Sequence, residues 1–171
     1  MNTKQRYTTL VILLLLSILA QWLRYMIAYI NAGSSDRSNL SKDLDMNLEQ
    51  YGLLAGFGFN LFYAFAQLFM GYISDRFDRK KLIILAVIGW SLCAGSHCFA
   101  KTYWQFFIGR LGVGFFEAIF APASVSLLTD YFAEEERGKA NGILNAGIYL
   151  GTALSSLSLF MNDAIGWRFT Y

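Results

Sequence analysis

Three ionisable side chains stand inside stretches that carry no other charge: Arg24, Arg110 and Glu117. Even on the most lenient insertion scale a charge at the centre of a bilayer costs at least ~2.5–3.5 kcal/mol, so each must face a partner or a cavity. Arg110 and Glu117 are seven positions apart and share one helix face, with Gly114 between them as a site with no side chain to block access. A carboxylate so placed can take up a proton or a cation, and a forked guanidinium can anchor an anionic ligand. Two plainer roles compete with these. Arg110 and Glu117 could form an ion pair inside a bundle, and Arg24, about six residues from the end of its helix, could snorkel to the outer interface.

The elements that must hold these residues follow from composition. The chain has 171 residues, 56% of them hydrophobic, a mean hydropathy of +0.40 and 15% charged residues, against roughly 25% in soluble domains. That is more apolar surface than a soluble fold of this size buries, so a lipid bilayer is its solvent. Net charge is +2, with the basic residues at the ends of apolar runs, which gives nucleic-acid binding no support. No nucleophile–base pair, metal cluster or phosphate loop points to an enzyme or a cofactor. Cys93 and Cys98 read as free thiols packed in a helix.

The predicted architecture is an all-α integral membrane bundle of about five spans, at 8–30, 51–73, 82–100, 104–129 and 140–161, with Gly166-Trp167-Arg168 opening a sixth. The first apolar stretch runs to about Ile30, beyond the ~7–15 residues of a signal-peptide core. Asn31 to Gln50, with Asp36, Arg37, Lys42, Asp43, Asp45 and Glu49, reads as a solvated loop, and Glu134 to Lys139 as a charged turn. Glu117 falls about 20 Å from the outer end of its span, near the midplane; Arg110 lies nearer the outside, at a depth similar to Arg24.

Lys4, Arg6, Arg76, Arg79, Lys80, Lys81, Arg137 and Lys139 fall on one side, against Arg37, Lys42, Lys101 and Arg168 on the other, which predicts a cytoplasmic N-terminus. Asn39-Leu40-Ser41, the one glycosylation sequon, then lies outside, making Asn39 a candidate in a eukaryotic host.

Weaker stripes run along two spans. Asn60, Tyr63 and Gln67, and Asn145, Tyr149 and Thr152, recur at helical spacing and serve either as interhelical hydrogen-bond partners or as cavity lining. Gly147, Gly151 and Ser155 make a small-residue face for close packing. Pro122 is expected to kink the fourth span, and His97 to sit at the outer interface.

Several motifs occur in a telling order: Gly71-Tyr-Ile-Ser-Asp75-Arg76-Phe-Asp78-Arg79-Lys80-Lys81-Leu82, Arg110-Leu-Gly-Val-Gly114-Phe-Phe-Glu117-Ala118, Pro122, Glu136-Arg137-Gly138-Lys139-Ala140 and Gly166-Trp167-Arg168. Together they resemble the first half of a major facilitator superfamily transporter, particularly its anion:cation symporter and Spinster-like branches.

The resemblance implies secondary transport of a small organic anion or amphiphile by alternating access, with a proton or sodium ion as coupling partner. It implies two pseudo-symmetric bundles rocking about a midplane site, the second bundle being absent from this sequence. Arg24, Arg110 and Glu117 would face the cavity, with Asn60, Tyr63, Asn145 and Tyr149 on its walls. Gly71, Asp75, Arg76, Arg79 and Arg137 would form the gating motif, Asp75 contacting the opposite half. Plain anchoring of the positive loop in the membrane surface is the simpler role for these charges.

Three departures stand out. Asp78 replaces a usual Gly, Leu23 replaces an Asp that often precedes the first-span Arg, and the fifth span lacks a Gly-Pro pair. Because five spans cannot enclose a pathway, a noncatalytic membrane subunit or a non-functional gene fragment is the alternative expectation.

Overall fold

A chain in hydrocarbon must satisfy its backbone internally, and the computed structural model, which describes residues 3–32 and 39–171, is built of helices throughout those residues. Met1 and Asn2 of the basic arm, and Asp36 and Arg37 of the predicted loop, lie outside the described residues. The order among the described residues is α1 (Thr3–Asn31), α2 (Leu40–Asp43), α3 (Leu48–Ala55), α4 (Phe57–Arg76), α5 (Arg79–Ser96), α6 (Tyr103–Tyr131), α7 (Glu134–Leu154), α8 (Leu157–Ile165) and α9 (Trp167–Thr170), with a 3-10 turn at His97–Phe99.

Among the described residues, four helical units are long and apolar enough to cross a membrane: α1, α3 with α4, α5 with its 3-10 turn, and α6. A fifth is obtained if α7 and α8, bent by 42°, count as one. The outward stripes, for example Ile12, Leu15 and Leu19 on α1 and Ile84 and Ile88 on α5, are apolar and exposed, as a lipid-facing surface requires.

Two expectations are corrected. The run Glu134, Glu135, Glu136 is the first turn of α7, so the fifth helix starts at Glu134 and not near 140; three carboxylates there meet the positive end of the helix dipole. The segment before α3 is also less of a solvated loop than its composition suggests. Asn39 caps α2 by accepting from the Lys42 amide at 3.2 Å, and this places Leu40 and Leu44 inside the core. Pro122, for its part, lies within a continuous α6.

Close packing of α1 on α7 comes from the expected small residues. Gly147 and Gly151 are buried, and a Cβ at either would run into Ser17 and Leu14, or into the Ile18 backbone.

At the opposite end of the bundle from the N-terminus, Met26, Ile27, Ile30, Leu40, Phe106 and Trp167 form a second apolar cluster. Asp43 closes it by accepting from Trp167 Nε1 at 3.0 Å and from Arg168, whose other amino group donates to the Ala100 carbonyl at 3.2 Å. Gly166 makes the turn between α8 and α9 with φ of 80°, a conformation open to glycine. His97 belongs to this cluster and not to the interface: it is fully buried, 4.3 Å from the Phe106 ring and 4.8 Å from the Tyr171 ring.

Candidate functional site

A helical side chain leans toward the N-terminus of its own helix. Helices α1 and α6 run antiparallel, so Arg24 leans toward the α1 start while Arg110 leans toward the α6 start. The consequence is a pairing that spacing alone does not show. Arg24 Nε lies 3.3 Å from Glu117 Oε2, and Arg110 instead donates to the backbone carbonyls of Leu23, at 3.1 Å, and Arg24.

The Arg110–Glu117 ion pair is thus replaced by an interhelical one. The two residues share a face, but seven residues at 1.5 Å each separate them by roughly 10 Å along the axis, and Arg110 points away. Snorkelling of Arg24 is likewise replaced, because its side chain is only 14% exposed and sits 3.7 Å from the centre of the Tyr63 ring.

Phe59 stands among these charges. Its ring centre is 5.3 Å from the Arg24 guanidinium carbon and 4.4 Å from that of Arg110. The room that Gly114 leaves open is taken by this ring, since a Cβ on Gly114 would come within 2.8 Å of it. Arg110 is 1% exposed and Glu117 4%. Two cations and one carboxylate therefore share a buried region, and Arg24 Nη2, Arg110 Nε and Glu117 Oε1 have no hydrogen-bond partner within the protein. Such a region carries an excess positive charge that a bound anion can neutralise.

A recess of about 80 Å³ reaches Glu117 between α1, α4, α6 and α7, lined among others by Ser17, Gln21, Tyr63, Ser124 and Asn145. Of the predicted polar stripes, the structure brings Tyr63 and Asn145 to this recess. Asn60 is exposed and outside it, as is Tyr149, which is 76% exposed. Gln67 lies 3.5 Å from the Tyr63 hydroxyl, and Thr152 bonds back to the Ile148 carbonyl. Sequence reasoning missed Phe59, Ser17 and Gln21. Phe59 lies one turn before Tyr63 on α4, and that spacing was the available signal.

At the end of the bundle that carries the N-terminus, Asp78 occupies the N-cap of α5 and accepts from the amides of Lys80 and Lys81 at 3.0 and 3.3 Å. Arg79 pairs with Asp130 at 2.6 Å, tying the turn to α6. Arg137 donates to the carbonyls of Phe132 and Thr129 at 3.2 and 3.1 Å, and Arg6 pairs with Glu136 at 2.6 Å. Asp75 and Arg76 are exposed, Arg76 over the Tyr72 ring at 4.1 Å, and the Cα of Gly71 faces open space. The Asn39 carboxamide is engaged as the α2 cap.

Residues 9–171 match the family model described as Major Facilitator Superfamily. A protein of Escherichia coli (strain K12) named "Probable L-galactonate transporter" is 32% identical over 146 residues, covering 84% of this chain and 32% of its own length. The D-galactonate transporter of Escherichia coli O6:H1 (strain CFT073) is 26% identical, over 98% of this chain and 38% of its own. Among solved structures, a bacterial homolog to the human lysosomal transporter Spinster, inward-facing and unoccupied, superposes with a TM-score of 0.80 at 24% identity, over 100% of this chain and 40% of that one. The chain thus spans about a third to two-fifths of the length of these relatives.

Proposed function

The chain belongs to the major facilitator superfamily, and from that premise we propose that it forms the first bundle of a secondary transporter for small organic anions of the sugar-acid type. The observation that carries this reading is the buried Arg24–Glu117 pair, at 3.3 Å, with Arg110 beside it. Excess positive charge in a buried cluster asks for an anionic ligand, and a carboxylate already bound to one of the cations can exchange that bond for a proton or a sodium ion when the ligand arrives. The names of the galactonate-transporting relatives point to the same ligand class.

In this reading Arg24 anchors the ligand carboxylate, Glu117 couples its movement to the cation, and Tyr63 and Asn145 line the approach. Asn60 and Tyr149, on exposed faces, meet the second bundle, which lies outside this sequence. The five spans cross with the N-terminus in the cytoplasm, since the basic residues cluster at that end. Exposed Asp75 and Arg76, beside the open flank of Gly71, contact the second bundle when the pathway closes on that side. Arg79 and Arg137 hold the turn and α7 against α6 during the movement.

Uptake of radiolabelled D-galactonate by cells expressing the full-length protein tests the reading. Accumulation above empty cells that collapses with the ion gradient is the expected result. Absence of uptake for galactonate and for a panel of other carboxylates, with the protein present in the membrane, would overturn it.

A further inference from the structure

Two pairs of positions form a ladder down the inside of the bundle. Arg24 and Ser17 are seven residues apart on α1, and Glu117 and Ser124 are seven apart on α6, so on each helix the two side chains share a face. Because α1 and α6 run antiparallel, both serines fall on the same side of the charge pair, toward the end of the bundle that carries the N-terminus. Ser17, Glu117 and Ser124 line the same recess. The charged rung stands at one end of it and the serine rung at the other.

The two serines differ in what they already bond. Ser17 Oγ is engaged, with the carbonyls of Leu14 at 2.9 Å and Leu144 at 3.3 Å in reach. Ser124 is fully buried, and its Oγ has no hydrogen-bond partner within the protein. A serine inside a helix can bond back to the carbonyl one turn before, and a buried hydroxyl that bonds nothing is costly. The partner that suits Ser124 therefore comes from the recess.

Length selects that partner. Seven residues at about 1.5 Å each put the Ser124 Cα roughly 10 Å along α6 from that of Glu117. Glu117 leans away from Ser124, toward the α6 start, which lengthens the gap between the side-chain tips. A six-carbon chain drawn out with C–C bonds of about 1.5 Å measures roughly 7–8 Å from its carboxylate carbon to its terminal oxygen, and a hydrogen bond of about 2.8 Å at each end extends its reach to ~13 Å. A ligand of that length with its carboxylate on Arg24 meets Ser124 with its last hydroxyl.

Building on the transport reading above, we propose that Ser124 is a specificity-determining residue that reads the terminal hydroxyl of a six-carbon sugar acid whose carboxylate is held by Arg24. The recess takes one edge of the polyol tail, and Asn145, exposed at its rim, lies on the side open to the second bundle. Ser124 Oγ can accept a hydrogen bond from that hydroxyl or donate one to it. A site built in this way discriminates against the analogue that lacks the hydroxyl, because the buried serine is then left unpaired.

D-Galactonate and 6-deoxy-D-galactonate differ only in that hydroxyl. Uptake of each is measured at low concentration in cells expressing the full-length protein or its Ser124→Ala and Ser124→Thr variants. The wild type should favour galactonate about three- to tenfold, the worth of one neutral hydrogen bond. Ser124→Ala should bring the ratio to about one, with the loss confined to galactonate, and Ser124→Thr, which keeps the hydroxyl, should keep the preference.

A wild type that carries the two acids equally well would overturn the proposal. So would a preference that survives Ser124→Ala, which assigns the reading of the hydroxyl to another group or to a buried water, and so would an equal loss of both acids, which makes Ser124 a packing residue. If the wild type carries neither acid, with the protein present in the membrane, the transport reading itself fails, a result that cannot be confused with an unshifted ratio.

Discussion

Arg24 on α1 and Glu117 on α6 meet at 3.3 Å inside the bundle, while Arg110, on the same face of α6 as Glu117, binds the α1 backbone instead. Because Glu117 is 4% exposed, removing either partner strands a charge. Glu117→Ala should therefore lower stability by ~3–5 kcal/mol, and the double variant Arg24→Met/Glu117→Met should recover much of that loss. Melting temperatures in detergent check this. Additive effects of the single variants would mean that the two residues do not interact.

Glu117→Gln retains shape while removing the titratable charge. In the full-length protein it should abolish uptake or uncouple it from the ion gradient. If uptake in this variant keeps the wild-type pH dependence, Glu117 is not the coupling group.

Gly147 and Gly138 lie on the same helix in opposite circumstances. A Cβ at Gly147 would overlap Ser17 and Leu14, whereas one at Gly138 meets nothing within 4 Å. Gly147→Val should cost ~1–3 kcal/mol or more through overpacking, and Gly138→Ala should gain ~0.5–1 kcal/mol in helix propensity. Opposite shifts in melting temperature are the expected pattern.

Asp78 caps α5 through two amides. Asp78→Ala should cost ~1 kcal/mol, and Asp78→Gly only a few tenths. A scan of melting temperatures that ranks Gly below Ala would show that the carboxylate does more than cap.

The Arg79–Asp130 pair is at 2.6 Å, but its side chains are 32% and 44% exposed. An exposed pair of this kind contributes ~0–1 kcal/mol, so Arg79→Gln should leave melting nearly unchanged. A gating role instead predicts slower uptake in Arg79→Gln and in Asp75→Asn, with ligand binding retained and partial recovery in the swapped Arg79→Asp/Asp130→Arg variant. Unchanged uptake in Asp75→Asn would leave the turn charges as membrane-surface anchors alone.

Much of the fold is legible in one dimension because the bilayer imposes a rule that depends on length and polarity alone. Charge-free runs such as Leu82 to Ser96 must satisfy their backbone internally in hydrocarbon, which a continuous helix does. The small face of Gly147 and Gly151 is readable for a related reason, since small residues at helical spacing matter only where backbones approach. Helix ends are less legible. The charged run at Glu134 reads as a turn by composition, yet three carboxylates also suit the start of a helix.

Which residues share the interior was also determined by the sequence, because charges cannot face lipid: Arg24, Arg110 and Glu117 had to be sheltered. Which of them touch was decided only by the tertiary structure. Periodicity places two residues on one face, but it does not say which neighbouring helix lies opposite, nor in which direction that helix runs. The antiparallel crossing of α1 and α6 sends Arg24 to Glu117 and Arg110 to the Leu23 carbonyl, and it seats Phe59 in the space at Gly114. Those outcomes depend on the relative height and rotation of separate helices, quantities that are set by packing across the bundle and are written in no single stretch of the chain.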